Sequence, residues 1–326
     1  MAEASDATRY VEGVRAGDRK AVARTITLLE STRSDHAALG HAVLEALLPE
    51  TGRAVRLGIT GTPGVGKSTF IEALGLALIE AGKRVAVLAI DPSSQVSGGS
   101  ILGDKTRMER LAQREEAFIR PSPSSGELGG VAHRTREAML VCEAAGYDVV
   151  IVETVGIGQS ESTVASMVDF FAVLLQPGAG DELQGMKKGV LEIADVLVVN
   201  KADGPQAALA DRTCAEHEAA IQLLRAHGSW QPRVLKTSAL SGAGIDAFFE
   251  TVLEHREQVL GTGELEARRH EQDRAWMWSL VKEGLDRSFR EHPEVAARIG
   301  EVERDVMERK IAPARAARLL LELFGK

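Results

Sequence analysis

Apolar positions along the chain fall into three textures. Over residues 1–50 they recur at helical spacing. Leu39, Val43, Ala46 and Leu47 would line one face of a helix, with Ser34 or Asp35 as its cap and Pro49 and Gly52 as its end. From residue 56 the pattern changes to short apolar runs without polar alternation: 56–60, 85–90, 149–152, 171–175, 196–199 and 234–235. Runs of this kind predict strands buried on both faces. Helical stretches lie between them; the first, Lys67 to Ala81, is stopped by Gly82. Strands alternating with helices predict an α/β fold, a doubly wound, mostly parallel sheet with right-handed crossovers.

From about residue 262 the strand pattern ceases. Trp278, Val281, Leu285 and Phe289 recur at helical spacing, and Pro293 interrupts. Val295, Ile299, Val302 and Val306 form a second stripe, and a third helix starting near Pro313 carries Leu319, Leu320, Leu323 and Phe324. These helices need a surface to pack on. Two readings fit: they cover the body of their own sheet, or they form a dimerisation arm. The expected organisation is an N-terminal helical extension (1–54), an α/β domain (55–261) and a C-terminal helical arm (262–326).

Composition narrows the class. The chain has 326 residues, 44% hydrophobic and 26% charged, ordinary for a globular protein. No apolar run approaches the roughly 18–20 residues that span a bilayer, so no membrane partner is expected. Residues Met1 to Asp18 mix charges throughout and do not read as a secretory signal; a cytoplasmic location is expected. A net charge of −8 and a pI near 5.6 do not favour nucleic acid. Cys142 and Cys214 are far apart and fit no metal pattern, so both read as inert thiols. The eight His residues are scattered, without a helical i, i+4 pair near a Cys.

The chemistry is carried by loops at predicted strand ends. Gly61-Thr62-Pro63-Gly64-Val65-Gly66-Lys67-Ser68 fits GxxxxGK[ST] and joins a strand to a helix. Its backbone N–H groups and the helix N-terminus would cradle phosphates. Lys67 would reach the β- and γ-phosphates, and the Ser68 hydroxyl would bind Mg²⁺. Asn200-Lys201-Ala202-Asp203 follows the run 196–199 as an NKxD. Its Asp can accept from both N1–H and the 2-amino group of guanine, a donor pair that adenine lacks. Asn200 would support the loop, the stem of Lys201 would cover the base, and the Ser238-Ala239 backbone would close on O6. The predicted ligands are therefore GTP and GDP. The nucleotide-binding set is Gly61, Thr62, Pro63, Gly64, Val65, Gly66, Lys67, Ser68, Thr69, Asn200, Lys201, Asp203, Ser238, Ala239 and Leu240.

Three further loops complete the predicted site. The run 149–152 leads into Glu153-Thr154-Val155-Gly156, where GTPases hold a carboxylate near Mg²⁺ and a Gly whose N–H meets the γ-phosphate. The next residue is Ile157, where Ras-like GTPases hold the Gln that orients water; Gln159 lies two further on. Slow hydrolysis by the isolated protein, speeded by a partner or a loop movement, is the expectation. Asp91 ends the run 85–90 and would support the metal. The Ser/Gly-rich stretch Gln95 to Met108 reads as a mobile switch with Asp104 as its metal-facing carboxylate. The polar loop Gln176 to Gly189 carries Asp181, Glu182, Lys187 and Lys188. It reads either as a surface loop or as one in which a Lys swings in to stabilise transition-state charge. The expected catalytic residues are Lys67, Glu153, Gly156 and Lys188; the expected metal ligands are Ser68, Asp91, Asp104 and Glu153.

With these residues in place, the chain resembles the methylmalonyl-CoA mutase-associated GTPases, the MeaB/ArgK family. The stretches GITGTPGVGKST, LAIDPSS, GDKTRM, VETVGIGQSE, PGAGDELQGMKKG and NKAD carry the resemblance, with GDRKAVARTITLLES near the N-terminus. It implies a P-loop GTPase of the branch that holds signal-recognition and nickel-insertion GTPases, in which Glu for Asp at 153 is normal. It also implies a homodimer held by the C-terminal helices and association with adenosylcobalamin-dependent methylmalonyl-CoA mutase, with a cobalamin adenosyltransferase as a further partner. GTP binding and hydrolysis would gate cofactor delivery and protect the mutase from inactivation. The loop 176–189 would be a third switch that answers to the mutase, favouring the active reading of Lys187 and Lys188. Part of the family was once assigned as kinases of transport-binding proteins; NKAD argues against that, because an ATP-dependent kinase has no use for a guanine sensor. A nickel-insertion GTPase would carry a His-rich tract or Cys motif, and neither is present in the sequence.

Overall fold

The computed structural model describes residues 2–31, 33–90, 108–121, 128–154, 160–178, 188–221 and 228–325. They form two compact units, Met1–Arg269 and His270–Lys326.

The first unit is built on seven strands: β1 (Val55–Gly61), β2 (Val85–Ile90), β3 (Ala117–Arg120), β4 (Val149–Thr154), β5 (Phe170–Leu175), β6 (Val196–Val199) and β7 (Arg233–Lys236). All pair in parallel, in the order β3-β2-β4-β1-β5-β6-β7. The sheet is the expected doubly wound one. The alternation of side chains across a pleated strand explains why the runs look uniformly apolar. Leu57, Ile59, Phe170, Ala172, Leu174, Val196 and Val198 enter one core, while Val150, Val152, Phe171, Val173, Leu175, Leu197 and Val199 enter the other. Each face needs its own apolar set, so polar positions vanish from the central strands. The edge strand β3, Ala-Phe-Ile-Arg, is too short to announce itself by pattern.

Helices α1 (Ala2–Arg15), α2 (Arg19–Leu29) and α3 (Ser34–Leu47) precede the sheet. Their residues Val11, Val14, Val22, Ile26, Val43 and Leu47 share a core with the sheet's second face. Asp18 caps α2 by accepting from the Lys20 N–H at 2.8 Å. Neither residue suggested for α3 caps it: the N-cap is Arg33, without a side-chain bond. Asp35 lies inside the first turn, where its carboxylate accepts from its neighbour's N–H at His36 (3.0 Å) and pairs with Arg33. On the opposite face, α4 (Lys67–Glu80) packs with a later helix, Ile245–Gly261. Phe70 and Phe248 meet edge to face at 5.0 Å.

Between these elements run α5 (Glu109–Ala112), α6 (Leu128–Ala144), α7 (Ser160–Ala165), α8 (Lys188–Glu192) and α9 (Ala207–Ile221), followed by α10 (Ile245–Gly261) and α11 (Glu264–Glu291). The amino ends of the central strands are tied by charge. Buried Arg56 forks onto Glu143 at 2.6 and 3.1 Å. Buried Asp169 takes the Arg269 fork at 2.6 and 2.8 Å and the Arg56 N–H at 2.9 Å.

In the second unit, the remainder of α11 is followed by α12 (Pro293–Met307) and α13 (Pro313–Phe324). Val295, Val302 and Ala316 are buried, and Phe289 meets Phe324 edge to face at 5.4 Å. Met277, Val281 and Leu285 remain exposed at i, i+4, i+8 spacing, with exposed Trp278 next to Met277. Among the described residues no helix is long and apolar enough to cross a membrane.

Candidate functional site

The predicted loops converge at the carboxyl ends of β1, β4 and β6. The phosphate loop leaves β1 at Gly61, whose φ is +154°; a Cβ there would lie 2.5 Å from the Leu174 carbonyl oxygen of β5. Gly66, at φ +93°, caps α4, and a Cβ would press on Asn200 Nδ2 at 3.0 Å. Both glycines are thus required by close approach as well as by backbone conformation. Lys67, 8% exposed, donates its ammonium to the carbonyls of Gly61 at 2.7 Å and Thr62 at 3.3 Å. The Ser68 hydroxyl lies 3.5 Å from Glu153 Oε1. Glu153 is buried, one residue before the end of β4. Beside it, the hydroxyls of Thr60 and Thr154 share a hydrogen bond at 2.7 Å, linking β1 to β4.

The NKxD corner is cross-braced to this loop. Asn200 Nδ2 donates to the Val65 carbonyl at 3.0 Å, while its Oδ1 accepts from the Thr237 hydroxyl at 3.3 Å and the Ala239 N–H at 3.2 Å. Lys201 adopts φ +61°, rare for a side-chain-bearing residue and a mark of a constrained site. Its ammonium donates to the Gly64 carbonyl at 2.6 Å. The Ser238 hydroxyl donates to Asp203 Oδ1 at 2.6 Å, and the Ser238 N–H is taken by the Ala243 carbonyl. A cavity of about 400 Å³ opens here, lined by Gly66, Thr69, Asn200, Lys201, Asp203, Pro205, Gln206, Ala239 and Leu240. Its size suits a purine nucleoside.

The structure therefore brings together Gly61 to Thr69, Glu153, Asn200, Lys201, Asp203, Ser238, Ala239 and Leu240. Asp91, Asp104 and Gly156 lie outside the described residues, as do Ile157, Gln159, Asp181, Glu182 and Lys187. Lys188 is the first residue of α8, and its side chain is not among those described. Three participants escaped sequence reasoning. Thr237 locks Asn200, and its place beside Ser238-Ala239 was the available signal. Pro205 and Gln206 wall the base cavity and follow the NKxD directly. Thr62, expected in the phosphate loop, has its hydroxyl buried there without a hydrogen-bond partner.

Oxygen donors at Ser68 and Glu153, a hydroxyl beside a buried carboxylate, suit a hard divalent cation such as Mg²⁺. Among the described residues no group of three His, Cys, Asp or Glu side chains gathers as a self-sufficient metal site.

Comparison with known proteins bears on the same residues. A family model described as "Methylmalonyl Co-A mutase-associated GTPase MeaB" matches residues 22–294. A putative GTPase of Caulobacter vibrioides is 56% identical, with 95% of each chain covered. GTPase ArgK of Escherichia coli is 51% identical over 84% of this chain and 83% of its own. The mitochondrial methylmalonic aciduria type A homolog of Mus musculus is 46% identical over 97% of this chain and 79% of its own. A crystal structure described as an LAO/AO transport system kinase superposes with a TM-score of 0.79 at 38% identity, covering 99% and 98% of the two chains. A phosphate loop braced to a guanine-type corner, in a sequence matched over most of its length, places this chain in the MeaB family of methylmalonyl-CoA mutase-associated GTPases.

Proposed function

We propose that the protein is a GTP-driven chaperone for an adenosylcobalamin-dependent methylmalonyl-CoA mutase, gating loading of the cofactor and protecting the mutase from inactivation. The observation that carries this reading is the braced Asn200–Asp203 corner in a chain matched to the mutase-associated family over residues 22–294. Asp203, held by Ser238, accepts from guanine N1–H and the 2-amino group. The stem of Lys201 covers one face of the base. Because the Ser238 and Ala239 N–H groups are already engaged within the loop, the Leu240 N–H is the donor left for O6.

At the phosphate end, Lys67 exchanges its loop carbonyls for the β- and γ-phosphate oxygens. Ser68 and Glu153 would hold Mg²⁺, and Asp91 and Asp104, which lie outside the described residues, are the further carboxylates proposed for it. The cation supplies charge neutralisation for the phosphates. Gly156 offers its N–H to the γ-phosphate and Lys188 adds positive charge when the mutase docks. With Ile157 in the place of a water-orienting Gln, hydrolysis is slow until the partner engages. The exposed stripe Met277, Trp278, Val281 and Leu285 supports a homodimer through the C-terminal helices.

The test is the rate of GTP hydrolysis with and without methylmalonyl-CoA mutase. Stimulation of tenfold or more is expected, and an unchanged rate would remove the chaperone reading while leaving the GTPase. The relative described as a transport system kinase motivates a second reading, phosphotransfer to a protein acceptor. Titration with GDP and ADP separates the two: equal affinities would favour the kinase.

A further inference from the structure

The pairing of β1 with β4 stops just short of the phosphate loop. Its register runs from Val55–Val149 to Ile59–Glu153. At the next level it continues only outward: Thr60 lies opposite Val173 of β5, and Thr154 lies opposite Ile90 of β2. Backbone pairing between β1 and β4 therefore ends at the floor of the crevice in which Ser68 faces Glu153 at 3.5 Å. Crevices at the carboxyl ends of the strands are where open α/β sheets hold their ligands.

A side-chain bond takes over where the backbone register ends. The hydroxyls of Thr60 and Thr154 meet at 2.7 Å, and the two residues are 1% and 0% exposed. Alternation along the strands puts them on the face of Val152 and Val173, in the core shared with the N-terminal helices. Ile59 and Ile151 enter the other core, and Glu153, two residues after Ile151, meets Ser68 on that side. The hydroxyl pair thus lies on the far face of the sheet from the phosphate loop. Its neighbours on that face are valines, and Val has nearly the shape of Thr, so packing alone does not call for two hydroxyls here. What the bond adds is direction: it fixes the spacing of two strand ends where backbone pairing no longer does.

We propose that Thr60 is a positioning residue for GTP hydrolysis, its bond to Thr154 holding the phosphate-loop end of β1 against the Glu153 end of β4. Thr60 immediately precedes Gly61, and Thr154 immediately follows Glu153. A shift at either residue therefore passes straight into the backbone that carries the site. Thr60 acts through the spacing of Ser68 and Glu153, and this role rests on those two residues being the Mg²⁺ ligands.

Mg²⁺ dependence of GDP release from the full-length chain tests it, followed with N-methylanthraniloyl-GDP alongside the Mg²⁺ dependence of GTP hydrolysis. In the parent, Mg²⁺ should slow release, and Glu153→Gln should weaken that response. Thr60→Val should raise the Mg²⁺ concentration for half-maximal slowing by about fivefold, the equivalent of one net hydrogen bond. Its GDP affinity in EDTA should stay within about twofold of the parent, and Thr60→Ser, which keeps the hydroxyl, should restore the parent response. Thr154→Val and Thr154→Ser repeat the comparison from β4, so a folding failure at position 60 still leaves a decisive pair. In the Thr154→Val background, Thr60→Val should add less than about twofold, because the bond is already gone. A parent whose GDP release ignores Mg²⁺, or a Glu153→Gln variant with the parent's response, would remove the metal assignment and the role of Thr60 with it. A parent response that Glu153→Gln weakens but Thr60→Val and Thr154→Val leave unchanged would overturn the role of Thr60 alone. So would additive effects of the two valine substitutions, or a Thr60→Val defect of equal size in EDTA.

Discussion

Asp203→Asn isolates the step from phosphate binding to guanine selection. The carboxylate is held in place by the Ser238 hydroxyl, which donates to Oδ1 at 2.6 Å. That bond also dictates how an amide would sit. Asn at 203 would keep its carbonyl oxygen toward Ser238 and put its NH₂ where Oδ2 now stands. Guanine's 2-amino group would then meet a donor, and the bond to N1–H would fall from charged to neutral. Hydrogen bonds to charged groups contribute about 1.5–3 kcal/mol each. Losing one and weakening the other comes to roughly 2–5 kcal/mol, or about 30- to several-thousand-fold in GDP affinity at 1.4 kcal/mol per decade. Xanthine carries a carbonyl where guanine carries the amino group, so the variant should prefer XDP to GDP. Calorimetric titration of both proteins with GDP, XDP and ADP measures all three terms. Phosphate contacts from residues 61–69 are untouched, so XDP should bind the variant within about tenfold of GDP on the parent. A GDP loss below fivefold, or no gain for XDP, would refute the placement of the base against Asp203.

Other expectations follow from the ion pairs, a buried ring and the exposed stripe. Burial alone would raise the Asp169 carboxyl, but the Arg269 fork, with the charges of Arg269 and Arg56, more than offsets it and leaves the pKa below the ordinary value. Its stabilisation is therefore present above about pH 4 and is lost as pH falls through the folded-state pKa. Asp169→Asn, leaving buried arginines without their counter-charge, should cost about 3–5 kcal/mol in chemical denaturation at pH 7. His255 behaves in the opposite sense to a paired histidine: its pKa drops from 6.5 to about 4. Below pH 6.5 only the unfolded chain takes the proton, so stability declines from there toward pH 4, by on the order of 3 kcal/mol. Denaturation of His255→Phe across this range should show a correspondingly flatter pH profile. Trp278 and Val281 lie on the exposed stripe of α11; the proposed homodimer predicts that the parent chain sediments as a dimer and that Val281→Glu shifts it toward monomer while leaving GDP affinity unchanged.

The sequence alone determined the central fold and the phosphate and base corners, because both rest on short-range rules. A strand buried on both faces must be apolar throughout, so 85–90 and 171–175 are recognisable without tertiary information. A phosphate loop needs glycines where backbone approaches ligand, so Gly61 to Ser68 declares itself by spacing. Edge strand β3 did not, because four residues are too few for a period and its pairing partner β2 lies about 30 residues earlier. Tertiary structure alone decided how the site is braced. Asn200 reaches back 135 positions to Val65, and Thr237 locks Asn200 across 37. It alone gathered Arg56, Asp169 and Arg269 at the amino ends of the strands and set His255 edge to face between Phe170 and Trp230. Such contacts join residues remote in the chain, and a residue type at one position does not specify which distant group will meet it. Folding supplies that information by packing the strands in an order, β3-β2-β4-β1-β5-β6-β7, that the linear sequence does not follow.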